Sequence, residues 1–207
     1  MQLGILSDIH GNLPALEEAL AVGAAAGISE WVCLGDVIDG GPWSNECARL
    51  IQSRNIPLVR GNHDEVYRDG IADDVVAFLQ AAPEDMVWRD CLCTHISPRL
   101  KRKRKISDRY EAFNVFDECA HSLILVGHSH ITAVWSLGDM PGEAREWKID
   151  LDVDQMLPVG DRYIISVGSL GYSRDAHRAL RFGIWDDQRR TLRVQRIAAV
   201  SVLDVGT

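Results

Sequence analysis

No stretch of this 207-residue chain is long and apolar enough to cross a membrane as a helix, which excludes a helical membrane protein. The first residues, Met1-Gln2-Leu3-Gly4-Ile5-Leu6-Ser7-Asp8, lack a basic leader region and a small-residue cleavage site, so no secretory leader is expected. Positive charge is in short supply. The 22 Lys and Arg face 30 Asp and Glu, a net charge of −8 that argues against a general nucleic-acid binder. No internal repeat, low-complexity tract or linker interrupts the chain, so residues 1–207 are expected to form a single domain. Cysteine is sparse and odd in number. Cys33, Cys47, Cys91, Cys93 and Cys119 are scattered through apolar segments. Cys91-Leu92-Cys93 is not a C-x-x-C pair, and the distribution fits buried thiols in a reducing, cytoplasmic setting.

What is present is regular alternation. Residues 2–6 read as a strand. A helix follows to Gly27, with Asn12 as cap, Pro14 in the first turn, Glu17 and Glu18 at the positive end, and Leu13, Leu16 and Leu20 on one face. Residues 31–34 and 57–60 read as strands around a helix over 44–55. A helix near 72–82, a strand over 90–94, a helix over 108–120 and a strand over 122–126 come next. Strand-like segments then dominate, at 131–136, 144–150, 162–167, 179–185 and 191–197. Helices alternating with strands, then strands alone, predict an α/β domain with two sheets.

Polar residues gather where these strands end. Asp8 and His10 follow the first strand, Asp36 the second, and Asn62, His63 and Asp64 the third. His95 follows the 90–94 strand, and His128 and His130 follow the 122–126 strand. Sites in open α/β sheets lie beyond the carboxyl ends of strands, so five of the seven histidines are expected on one edge. His121 and His177 are expected in surface or capping roles. In extended chain, Asp8 with His10 and His128 with His130 would each face one side, spaced to serve two nearby metal ions. Imidazole and carboxylate donors suit Mn, Fe, Co, Ni or Zn over Ca or Mg alone. Two divalent transition-metal ions, manganese foremost, are therefore the expected cofactors.

Taken in order, Asp8-Ile9-His10, Gly35-Asp36, Gly61-Asn62-His63-Asp64, His95 and Gly127-His128-Ser129-His130 make the sequence resemble the calcineurin-like metallophosphoesterase superfamily. Within it, residues 35–64 and 167–186 look like the small bacterial and archaeal phosphodiesterase-like members. The resemblance implies a four-layer α-β-β-α sandwich, two mixed β-sheets flanked by helices, with a dimetal site at the C-terminal strand ends. It implies one metal on Asp8, His10, Asp36 and His130, and another on Asp36, Asn62, His95 and His128, with Asp36 shared. It also implies hydrolysis of a phosphate ester by a hydroxide between the ions. His63 is then the expected general acid, with Asp64 orienting its ring and raising its pKa. One departure stands out: the family's T-H-G reads Thr94-His95-Ile96-Ser97-Pro98 here.

The expected substrate is a small, nucleotide-like or other organic phosphodiester. A phosphomonoesterase or protein phosphatase, a phosphate-ligand sensor, and a non-catalytic scaffold such as the eukaryotic retromer subunit are the alternatives. The complete motif set favours the enzyme. Six of the seven residues 99–105 are basic, and Lys101 to Lys105 could draw in a polyphosphate or RNA end, although a solvated loop is the commoner outcome. Arg174 is a candidate phosphate contact. Arg60 is expected to brace the turn beside it. The sequence sets no oligomeric state.

Overall fold

The computed structural model describes residues 2–66, 69–99, 104–137, 142–176 and 178–204. Two sheets pack face to face. The first runs in the order β2 (Glu30–Cys33), β1 (Gln2–Leu6), β10 (Arg181–Asp186), β11 (Thr191–Arg196) and β8 (Gln155–Met156). The second runs β3 (Asp85–Trp88), β4 (Cys91–Thr94), β5 (Leu123–Val126), β9 (Tyr163–Val167), β6 (Thr132–Leu137) and β7 (Ala144–Trp147). Both mix parallel and antiparallel pairs: β1 runs parallel to β2 but antiparallel to β10, and β5 is parallel to β9 while β6 is antiparallel to it. The expected four-layer sandwich is the observed fold.

Strands buried on both faces supply three separate cores, and the period of two decides which residue goes where. Leu3 and Ile5 of β1, Cys91 and Cys93 of β4, Leu123 and Leu125 of β5, and Tyr163 and Ile165 of β9 meet between the sheets. Their neighbours Leu92, Ile124 and Ile164 face outward and pack with Ala112, Val115 and Phe116 of helix α4 (Arg109–Glu118). Leu6 and Cys33, with Phe182 and Ile184, face the other way, onto α1 (Leu13–Ala25), α2 (Ser44–Ser53) and α3 (Asp73–Ala81). Trp31 sets how closely α1 approaches. A Cβ on Gly4 or Gly23 would lie 2.2 or 2.3 Å from its indole, so both glycines are slots for that ring. Four of the five cysteines are buried. Desolvation pushes Cys91 and Cys93 up to about 12, which makes them inert packing groups.

Several expectations change. Asn12 does cap α1, accepting from the Ala15 N–H at 3.3 Å. Glu17 and Glu18 fall beyond the first turn, and Glu18 instead accepts the Ala198 and Ala199 N–H groups at 2.7 Å each. Residues 57–60 make a single bridge, Cys33 to Leu58, rather than a strand. Pro57 has no N–H to extend the ladder, and its carbonyl accepts from Cys33 at 2.8 Å. Strand β3 is not legible in the sequence, since its residues alternate exposed and half-buried at a sheet edge. His177 and residues 100–103, most of the basic run, lie outside the described residues. Arg99 is structural: its guanidinium bonds Glu111 at 2.7 Å and Glu118 at 2.7 and 3.0 Å, both on α4.

Candidate metal centre

All seven expected ligand positions meet at one end of the sandwich. Asp8, His10, Asp36 and His130 form one group of donor atoms, and Asp36, His95 and His128 a second, the atoms within each lying within 4.8 Å of one another. Asp36 belongs to both. Asn62 joins the second group, its Oδ1 lying 2.8 Å from His128 Nδ1 and 3.2 Å from His95 Nε2.

The backbone achieves this convergence differently from an extended strand. Asp8, His10, Asp36, His128 and His130 all have positive φ, between 51° and 65°. Such angles are uncommon for side-chain-bearing residues, and strain of this kind clusters at functional sites. Two left-handed residues flanking one ordinary residue turn both side chains inward just past the strand end. Close backbone approach completes the cup. A Cβ on Gly61 would lie 2.2 Å from Asp36 Oδ1, so the glycine before Asn62 lets the two loops touch.

Imidazole orientation is fixed from behind. His10 Nδ1 faces the Asp39 carbonyl at 2.7 Å, His95 Nδ1 the Leu34 carbonyl at 2.7 Å, and His130 Nδ1 the Tyr172 carbonyl at 2.8 Å. A carbonyl accepts only from a protonated nitrogen, so in each neutral ring Nε2 carries the lone pair. Those lone pairs converge: His10 and His130 Nε2 atoms stand 3.2 Å apart, and His95 Nε2 is 3.1 Å from Asp36 Oδ2. Carbonyls that hold the far nitrogen of an imidazole in this way commonly orient metal-binding histidines.

Electrostatics points the same way. Burial opposes ionisation of Asp36, but the close approach of His95, and then His10, outweighs it and leaves its carboxyl far below the ordinary range. Burial likewise opposes a charged His95, yet Asp36 and then Asp8 push it up to about 9. His128 falls to about 4, through burial first and repulsion by His95 second. Asp36 Oδ2 is buried and has no aligned hydrogen-bond donor. Two buried carboxylates, one with an orphaned oxygen, facing imidazoles of fixed orientation fit divalent cations, which would displace the His95 proton.

The turn at residues 61–65 corrects one expectation. Asp64 does not touch the His63 ring. Its buried carboxylate accepts backbone N–H groups from Asp36 and Val37 at 2.8 Å, Gly61 at 2.9 Å and Ile38 at 3.3 Å. Burial and the Asp36 charge push it up to about 6 in spite of those donors. Asp64 therefore staples the loop carrying Asp36 to the loop carrying Asn62. The partner of His63 is Asp39, whose Oδ2 lies 2.6 Å from His63 Nδ1. Asp39 also has positive φ, and its carbonyl holds His10, so one residue orients two rings. Only Gly35-Asp36-Val37-Ile38-Asp39, a second carboxylate three residues past Asp36, could have flagged it.

The rim is mixed. His63 is 35% exposed and meets the His10 ring edge-on at 4.8 Å. Tyr172 lies against His130 and His10, ring centres 4.2 and 5.2 Å away. Arg174 is exposed beside it, with Nη2 donating to the Tyr172 hydroxyl at 3.0 Å. Arg60 braces the turn as expected, through Glu65 and the Gln80 and Ala82 carbonyls. Half-buried Ile96 lines a small cleft of about 200 Å³ with Arg60, Asn62 and His95. His121 stands away from the centre, its Nδ1 3.3 Å from Cys119 Sγ.

The family model for calcineurin-like phosphoesterases matches residues 1–197. The chain belongs to that family. Among curated relatives, the chain is similar to the uncharacterized protein MJ0912 of Methanocaldococcus jannaschii, 30% identical over 94% of this chain and 86% of the relative. Phosphodiesterase YfcE of Escherichia coli is 26% identical over 80% of this chain and 96% of its own. Among solved structures, a metallophosphoesterase from Sphaerobacter thermophilus superposes with a TM-score of 0.85 at 25% identity, covering 97% of this chain and 90% of that one. This calcineurin-like phosphoesterase is a metal-dependent hydrolase of phosphoric esters with a divalent metal site.

Proposed function

We propose that the chain is a phosphodiesterase acting on small, nucleotide-like or other organic phosphates, with two divalent transition ions, manganese foremost. The observation that carries the two-ion reading is Asp36, shared by two donor groups that have no other member in common. Asp8, His10, Asp36 and His130 would hold one ion, and Asp36, Asn62, His95 and His128 the other. Bound there, divalent ions supply positive charge to phosphoryl oxygens and make water more acidic.

The chain's own groups do the rest. Asp39 fixes the His63 ring through Nδ1, so the imidazolium has its second proton on Nε2. That proton is available to the departing ester oxygen, the role of a general acid. Ring contact with His10 keeps His63 beside the centre while its partial exposure admits substrate. Arg174 supplies a guanidinium at the rim for a phosphoryl oxygen. Preference for diesters is supported by the similarity to YfcE, which is named a phosphodiesterase.

The test compares bis-p-nitrophenyl phosphate with p-nitrophenyl phosphate, each with Mn, Ni, Co, Zn or no added metal. Faster, metal-dependent turnover of the diester is expected. Preference for the monoester would replace this reading with a phosphatase.

A further inference from the structure

Arg181, the first residue of β10, is 1% exposed, yet no ligand or general acid touches it. A buried guanidinium is costly unless every donor is matched. Here all five are. Nε donates to the Ala179 carbonyl at 2.8 Å. Nη1 donates to Thr132 Oγ1 at 3.1 Å and is ion-paired with Asp175 Oδ2 at 2.5 Å. Nη2 donates to Asp175 Oδ1 at 2.9 Å and Ser173 Oγ at 2.8 Å. Gly168, at φ +94°, makes room for the stem, since a Cβ there would lie 2.8 Å from Arg181 Cδ.

These contacts close on one short loop. Residues 169–171 are docked on the Asp8 turn, through Ser169 Oγ to the Asp8 carbonyl and the Gly171 N–H to the same carbonyl, each at 2.8 Å. Arg181 then grips Ser173 and Asp175. Between the two grips lie Tyr172, packed on His130, and Arg174, whose N–H bonds the His130 carbonyl at 3.2 Å. Among the described residues the Arg174 guanidinium makes one hydrogen bond, to the Tyr172 hydroxyl, and is otherwise open to solvent. A loop anchored at both ends by buried groups presents that guanidinium in one place, which lowers the ordering cost of gripping an anion.

We propose that Arg181 is a positioning residue for substrate binding: its buried fork on Asp175 and Ser173 fixes the 172–175 loop so that Arg174 meets the phosphoryl group of the ester. This rests on the phosphodiesterase reading above.

The test is a double-mutant cycle with Arg181→Gln and Arg174→Ala, assayed on bis-p-nitrophenyl phosphate at saturating Mn, with trypsin cleavage after Arg174 mapped by mass spectrometry. Loss of a charged hydrogen bond should raise KM about tenfold or more in Arg174→Ala, with kcat little changed. Arg181→Gln should raise KM similarly, the double variant should be no worse than either single, and trypsin should cut the loosened loop faster. An unchanged KM in folded Arg181→Gln overturns the proposal, whatever trypsin shows. So do KM effects that multiply in the double variant. If Arg181→Gln does not fold, Ser173→Ala removes one contact of the same fork and should raise KM by a smaller factor; no rise overturns the proposal. A wild-type protein inactive on the diester would instead remove the reading on which this one rests.

Discussion

The two halves of the centre are built to different standards. Around Asp8, His10 and His130 every side chain is buried, both imidazoles are held by carbonyls, and Tyr172 covers the rings. Around His95, His128 and Asn62, only His95 is both buried and held from behind. His128 and Asn62 are half-buried and lean on each other. On the two-ion reading, the first half would be preorganised to keep its ion, and the second could adjust, as suits an ion that must also accept a substrate.

The largest effect should come from the residue the halves share. Asp36→Asn should reduce turnover to background, and protein passed through gel filtration should retain fewer than two ions by elemental analysis. Two retained ions would refute the shared role. Next come the neighbours His63 and Asp64. His63→Ala should keep both ions and the fold but lower kcat by roughly 10²–10⁴. Asp64→Ala should act on stability, because four buried N–H groups lose their acceptor at about 1–3 kcal/mol each. A melting temperature near wild type would refute the staple. Asp39→Asn leaves the carbonyl that holds His10 and removes the charge beside His63 Nδ1. It should lower kcat by roughly 10–100-fold with metal content unchanged. The smallest contrast compares His130→Gln with His128→Gln by calorimetric titration of Mn into metal-free protein. The first should weaken the tighter binding step and the second the weaker step. Equal effects would erase the distinction between the halves.

Much of this centre is legible in the sequence. Short motifs at successive strand ends mark the ligand set, because strand direction alone delivers them to one edge. Alternation within the strands anticipates two sheets and inward-facing thiols at Cys91 and Cys93. Other features are hidden for physical reasons. His63 and Asp64 are adjacent in the chain, so they invite a pairing, but the tight turn over His63–Glu65 sends Asp64 inward to backbone N–H groups. The true partner, Asp39, arrives from another loop. Asp8 with His10, and His128 with His130, look like extended pairs because sequence spacing carries no sign of φ. Nothing in the sequence marks Arg181 as buried. Only the fold shows that five acceptors surround it.

The positive φ angles at the ligand positions carry a consequence for protein engineering. The seven donor side chains cannot be transplanted onto another scaffold as a set of rotamers. The recipient must also reproduce three turns with five residues in an uncommon conformation, together with the glycine contact at residue 61. Conversely, β-branched residues at these five positions are strongly disfavoured on backbone grounds alone, so a library that randomises the ligands is best built without them. Redesign for a different metal is better confined to Asn62, whose φ is −71°, where chemistry can change without opposing the chain.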